Sequence, residues 1–284
     1  MLLREVEYAR PATIDEAIRL LAEHDGARAL AGGQTLVNVM KARAASPDVL
    51  VDLADLADLR RISFSADQSV LEIGAMVTAS QLVASSEVEV ARPVLAEVAS
   101  TIADLQVRNR GTIGGNICVN DPTNHFPPLL VALGASMTIQ GRDGERTVSA
   151  EEFFLGVYLT AVSEGELLTR VLVPTRSAGT GDAMTGVTLG AHGTYVVSAA
   201  ASVGPDGARV AIGCVSSVPV RASEMEKRLA GGDYSEAAVK AAAAGLGASL
   251  DPPSDVHASA DYRSHIAEVS AVRAVLQAAE RARG

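Results

Sequence analysis

Tryptophan is absent from the 284 residues, Tyr and Phe number only 5 and 4, and Cys118 and Cys214 are the only cysteines. Two thiols make no disulfide framework, and an iron–sulfur cluster usually needs four thiolates, so any such cluster belongs to a partner. Basic residues are outnumbered as well: 24 Lys and Arg against 34 Asp and Glu give a formal charge of −10. Nucleic-acid binders gather Lys and Arg on one face, so this balance argues against such a partner. No stretch approaches the roughly 18 uninterrupted apolar residues of a membrane span, and Met1 to Tyr8 carries acids without an apolar leader core. The expectation is a soluble cytoplasmic protein. His24, His125, His192, His257 and His265 never fall at ligand spacing with Cys or with each other, so no metal site is indicated.

What the chain has in quantity is aliphatic: 48% of residues are apolar and 25 are glycine. That supplies core material for one large domain or two modest ones, with frequent close approaches of backbone. Thr13 with Glu16 three residues later is a capping box ahead of Ala17-Ile18 and Leu20-Leu21, an amphipathic helix that Gly26 ends. Arg28 to Ala31 is a short apolar run stopping at Gly32-Gly33, and Leu36 to Lys41 looks helical. With Pro47 to Leu53 as another strand, the opening is a β-helix-β-helix-β unit of about fifty residues.

Val70 to Ala75 alternates as a strand, Ser80 to Val83 begins a helix, and Pro93 to Ala103 is a further helix leading directly into a second glycine segment. Ser136 to Gln140 and Leu167 to Val173 are strands, with a turn at Gly141 to Gly144. Ser177 to Asp182 is the best linker, and a domain boundary is placed there. Beyond it, strands at Tyr195 to Val203 and Ala208 to Val215 flank the hairpin signal Gly204-Pro205-Asp206-Gly207, and Ala-rich helices follow near 235–246 and 261–282.

Two segments carry the chemistry. In Ala31-Gly32-Gly33-Gln34-Thr35-Leu36, residues without β-carbons leave main-chain N–H groups free to approach an anion ahead of a helix start, although Gly-Gly after a strand is often just a turn. Gly111-Thr112-Ile113-Gly114-Gly115-Asn116, preceded by Arg108-Asn109-Arg110, repeats that chemistry with a hydroxyl and a carboxamide added. Neither fits G-x-G-x-x-G or G-x-x-x-x-G-K-[ST], which disfavours a Rossmann dinucleotide site and a P-loop.

Ala-Gly-Gly-Gln-Thr-Leu with Met40-Lys41, then Arg-Asn-Arg-Gly-Thr-Ile-Gly-Gly-Asn, resembles the FAD-binding medium subunit of molybdenum hydroxylases, the family of carbon monoxide and xanthine dehydrogenases. The likeness continues through Ala211-Ile212-Gly213 and Pro219-Val220-Arg221-Ala222 to Ser259-Ala260-Asp261-Tyr262-Arg263. It implies an α+β fold. Residues 1–176 would be an FAD-binding domain, with a small βαβ-type subdomain to about 55 and a larger mixed-sheet subdomain from 56. Residues 177–284 would be a C-terminal domain of antiparallel sheet with helices.

The resemblance also implies a partnership: a large molybdenum-binding subunit that oxidises the substrate and a small subunit with two iron–sulfur clusters, arranged as a dimer of heterotrimers. This chain would pass electrons through FAD to an external acceptor, quinone or NAD. The family's cofactor loops carry over to Ala31 through Leu36 and Gly111 through Asn116. Ile102 lies where relatives set a side chain against the flavin, Leu168 matches a leucine whose backbone contacts the cofactor, and Tyr195 sits where an aromatic can cover the isoalloxazine. Core packing explains Ile102 and Leu168 equally well.

Two departures stand out. Relatives often have Asp at the place of His125, where it contacts FAD; the imidazole either donates a hydrogen bond and tunes the flavin, or is a plain loop histidine. The segment Thr188 to Tyr195, with His192, lacks the family's usual basic residues, so either the isoalloxazine edge is handled differently or the acceptor differs. Cys118, without flanking Lys or Arg, is read as a small buried residue rather than a redox relay, and Asp52, Asp55 and Asp58 as a solvated helical face. Two other readings stay open: a free-standing FAD-dependent protein, and an interaction module that has lost FAD.

Overall fold

The chain begins with a small parallel sheet that lifts the first glycine loop into place. In the computed structural model, which describes residues 3–190 and 193–284, β1 (Glu7–Ala9), α1 (Ile14–Glu23), β2 (Ala27–Leu30), α2 (Leu36–Lys41) and β3 (Val49–Asp52) form a three-stranded sheet ordered β1-β3-β2. Thr13 caps α1 by accepting the Glu16 amide, while the Glu16 carboxylate accepts the Ala12 amide. Ala17, Ile18 and Leu21 turn inward onto Val49 and Val51. The acidic trio is not a helical face. Asp52 ends β3 and accepts the Tyr8 hydroxyl, Asp55 pairs with Arg10, and Asp58 pairs with Arg61 beside a single 3-10 turn.

The middle of the chain builds a five-stranded antiparallel sheet, β4-β5-β10-β6-β7, from β4 (Ile62–Phe64), β5 (Val70–Gly74), β6 (Ser136–Gly141), β7 (Gly144–Ser149) and β10 (Leu167–Pro174). Between β5 and β6 run α3 (Ala79–Ala84), α4 (Ser86–Ala91), α5 (Pro93–Thr101), α6 (Leu105–Arg110), α7 (Ile113–Val119) and α8 (Phe126–Ala132). Leu71, Ile73, Val171 and Val173 are wholly buried against Leu95, Ile113, Ile117 and Leu129 from these helices. After β7 come α9 (Ala150–Phe153) and a short hairpin of β8 (Phe154–Gly156) and β9 (Leu159–Thr160).

The expected single helix from Pro93 into the glycine segment is two helices. α5 stops at Thr101, Ile102 is extended, and Ala103 is left-handed at φ 41°. Asp104 then caps α6 by accepting the Val107 amide at 2.9 Å, an Asp N-cap that the continuous apolar spacing conceals.

The remainder forms a four-stranded antiparallel sheet, β11 (Gly181–Thr188), β12 (Tyr195–Gly204), β13 (Gly207–Gly213) and β14 (Val220–Arg221). The Gly204–Gly207 turn closes β12 on β13 as its sequence indicates. Below the sheet lie α10 (Ser223–Arg228), α11 (Glu236–Ala243) and α12 (Ala260–Arg283), whose Ala267, Ala271, Ala274 and Ala278 let it sit close on β11 and β12. A buried ion pair joins this unit to the preceding one: Arg92, between α4 and α5, donates to both Asp182 oxygens at 2.8 and 2.9 Å and to the Pro174 carbonyl at 2.7 Å. These layers are the α+β architecture expected from the sequence.

Candidate functional site

At the end of β2 the chain turns through Ala31-Gly32-Gly33-Gln34-Thr35 before α2. Gly33 is left-handed at φ 74°, where side chains are strained. Gly32 has another constraint: a Cβ there would lie 2.0 Å from the Arg110 carbonyl oxygen and 3.0 Å from the Gly111 Cα, so the two glycine loops rest backbone on backbone. Among the described residues, the amides of Gly32, Gly33, Gln34 and Thr35 find no acceptor within the chain. Successive free N–H groups make an anion-binding concavity. A hollow of about 300 Å³ behind the loop is flanked by Lys41 and Arg110, along with Asp52.

The second loop works differently, although its composition is alike. Thr112 caps α7, and the amides of Ile113, Gly114 and Gly115 donate to Val77 O, Ala75 O and Thr112 Oγ1 at 2.9, 2.9 and 3.0 Å. The Asn116 amide is taken by Thr112 O at 3.0 Å. These donors are spent on the fold, so this loop cannot cradle an anion through them. It offers instead the Asn116 Oδ1, buried without a partner, and the bare Cα of Gly115, where a Cβ would meet Ala31 Cβ at 3.7 Å and Thr112 Oγ1 at 3.0 Å. Gly114 is a packing glycine, since a Cβ would strike Ala75 O at 2.6 Å.

Both loops face a cleft of about 810 Å³, a size suited to a large small-molecule ligand. Ala31 through Leu36, Ile102, Gly111, Thr112, Gly115, Asn116 and His125 line it. Four other expected site residues stand off the wall. Ile113 is fully buried in the core, Gly114 packs on Ala75, Leu168 pairs with Ile139 in the sheet, and Tyr195 lies against the His125 ring, centroids 4.6 Å apart. Ile102 reaches the cleft because α5 ends before it. His192 lies outside the described residues.

His125 is 6% exposed, and its Nε2 is buried without a partner. Burial drives its pKa down to about 4, so the ring is neutral at pH 7. Unfolded, this histidine takes a proton below about pH 6.5; folded, it resists until about pH 4. Its contribution is therefore complete above pH 6.5 and is lost as pH falls from there toward 4, by on the order of 3 kcal/mol. His125→Gln should lose less stability than the parent between pH 7 and pH 5 in thermal unfolding; parallel pH profiles would contradict this.

Cys118 lines the cleft half-buried rather than in the core, and desolvation pushes its thiol up to about 12, so it is protonated at neutral pH. Among the described residues no cluster of three His, Cys, Asp or Glu could hold a metal. Sequence reading missed one wall, the β8–β9 hairpin with Tyr158 and Leu159, whose strands are too short to show a period.

A large cleft with free loop amides at one side and unpaired buried polar atoms nearby is a cofactor site, and family comparison says for which cofactor. Residues 4–176 match the FAD binding domain in molybdopterin dehydrogenase, and 191–278 match the CO dehydrogenase flavoprotein C-terminal domain; the chain belongs to this family. It is 37% identical to the carbon monoxide dehydrogenase medium chain of Afipia carboxidovorans, over 98% of each chain. The nicotine 6-hydroxylase medium subunit of Paenarthrobacter nicotinovorans is 33% identical over 99% of this chain and 100% of its own. Carbon monoxide dehydrogenase from Hydrogenophaga pseudoflava superimposes with a TM-score of 0.95 at 36% identity, covering 99% of both chains.

Proposed function

We propose that this chain is the FAD-carrying electron-transfer subunit of a molybdenum hydroxylase-type oxidoreductase. The observation that carries the reading is the run of unpaired amides from Gly32 to Thr35 beside the unpartnered Asn116 Oδ1 and His125 Nε2, all at one cleft. The residues fit FAD. The amides would hold its pyrophosphate, with Lys41 and Arg110 near the loop offsetting charge, and Thr112, Asn116 and His125 would offer polar atoms to its uncharged parts. Bound there, FAD would supply the redox chemistry that links a partner's iron–sulfur clusters to an external acceptor, quinone or NAD.

Everything else asked of this chain is binding and shielding. Ile102 and Phe126 give the cleft apolar walls, and the neutral His125 ring brings no charge at working pH. No general acid, base or nucleophile is required. Residues 1–176 would form the cofactor domain and 177–284 the C-terminal flavoprotein domain. The large molybdenum and small iron–sulfur subunits are its partners, as a dimer of heterotrimers, and the substrate is bound by the former. The relatives named as medium chains or medium subunits support this reading. In this reading the complex is cytoplasmic; among the described residues no helix is long and apolar enough to cross a membrane.

Affinity purification of the tagged chain from its own cells, with FAD, iron and molybdenum quantified, tests this. Co-purifying molybdenum and iron in fixed ratio to FAD is expected. FAD without either metal would contradict the complex while leaving the flavin site standing.

A further inference from the structure

Tyr195, the aromatic that resemblance sets over the flavin, lies against His125 off the cleft wall, which leaves another ring facing the cleft. Tyr158, at the tip of the β8–β9 hairpin, lines the cleft and is 66% exposed, so its ring has little packing role in the chain itself. Its backbone is left-handed, φ 57°, a conformation costly for a bulky residue and kept only where surroundings enforce it.

The enforcement is visible. The Tyr158 amide donates to Asn120 O at 3.2 Å, and its hydroxyl to Asp121 Oδ2 at 3.2 Å. Asn120, 1% exposed and itself left-handed at φ 43°, donates from Nδ2 to the carbonyls of Gly156 at 2.6 Å and Leu159 at 3.3 Å. Asn120 directly follows α7, the helix that starts at the second glycine loop. Seven residues of helix place the hairpin anchor about 10 Å from that loop. One rigid helix thus sets both the glycine loop and the position of the Tyr158 ring.

We infer that the Tyr158 ring is the aromatic face against which a planar ring of the cofactor stacks. Both rings of FAD, isoalloxazine and adenine, are flat and conjugated, and offset stacking on tyrosine suits either. The inference rests on the FAD reading of the cleft.

The test is titration of the full chain with FAD, FMN and ADP, comparing the parent with Tyr158→Gly and Tyr158→Phe. Glycine removes the ring and relieves the left-handed backbone, so this variant should melt no lower than the parent yet bind FAD about 3- to 10-fold more weakly. Phenylalanine keeps the ring and should stay within about 2-fold of the parent. Weakening of FMN alone assigns the stack to isoalloxazine, and weakening of ADP alone assigns it to adenine; either supports the inference. Unchanged FAD affinity in the glycine variant, or equal losses in both variants, overturns it while leaving the FAD reading intact. A parent chain that binds none of the three overturns that reading, and this inference with it.

Discussion

A chain carrying Gly32→Ala is expected to bind FAD at least about 100-fold more weakly than the parent, close to 3 kcal/mol. Gly32 is not in the left-handed region, so alanine costs nothing there through backbone conformation. The loss comes from contact: the new Cβ would lie 2.0 Å from the Arg110 carbonyl oxygen and 2.6 Å from its carbon, both backbone atoms that no rotamer change can move. The loops must part, and the free amides of Gly32 to Thr35 would then lose the arrangement that suits a pyrophosphate. Gly33→Ala makes the comparison sharper. Its Cβ meets only the ends of Val37 and Leu30, at 3.2 and 3.5 Å, so its penalty is mainly the left-handed backbone, about 1–2 kcal/mol. Fluorescence titration with FAD should therefore rank the parent above Gly33→Ala and both far above Gly32→Ala; a Gly32→Ala affinity within about 3-fold of the parent would refute the contact argument.

The second large effect concerns stability. Arg92→Met should cost about 3–5 kcal/mol, because it strands the Asp182 carboxylate, itself 5% exposed, without its guanidinium. At this chain length that corresponds to a fall of roughly 10 °C in Tm. The loss is one of desolvation rather than of attraction alone, so Arg92→Met combined with Asp182→Leu should recover a good part of it. Scanning calorimetry of the three proteins checks this. A Tm within about 2 °C of the parent in Arg92→Met would mean that water reaches Asp182 and that the pair does not join the two units.

The fold was legible where one residue pattern spoke for one element. Thr13 and Glu16 mark the start of α1, Gly204 to Gly207 the β12–β13 turn, and the two glycine segments the loops that meet at the cleft. Legibility failed where the deciding partner is remote in sequence. The Thr112 to Asn116 loop matches the first loop in composition, yet its amides are consumed by Ala75, Val77 and Thr112, and nothing in Gly-Gly-Asn reveals that strand β5 runs on to meet it. Leu168 and Tyr195 were set at the site by likeness alone; Leu168 pairs with Ile139 in the sheet, and Tyr195 lies against the ring of the cleft residue His125. The hairpin that brings Tyr158 to the cleft has strands of three and two residues, too short for any period, and depends on a left-handed Asn120 that no local pattern announces. Asp104 was a readable cap, hidden by the even apolar spacing from Leu95 to Ile102.

The most direct measurement is the visible absorption spectrum of the purified full chain, as isolated and after FAD is added and excess removed, beside Gly32→Ala treated alike. Flavin bands at one FAD per chain are expected in the parent, with none retained by the variant. No retained flavin in the parent, or equal flavin in both proteins, would contradict the claim that the two abutting glycine loops hold FAD.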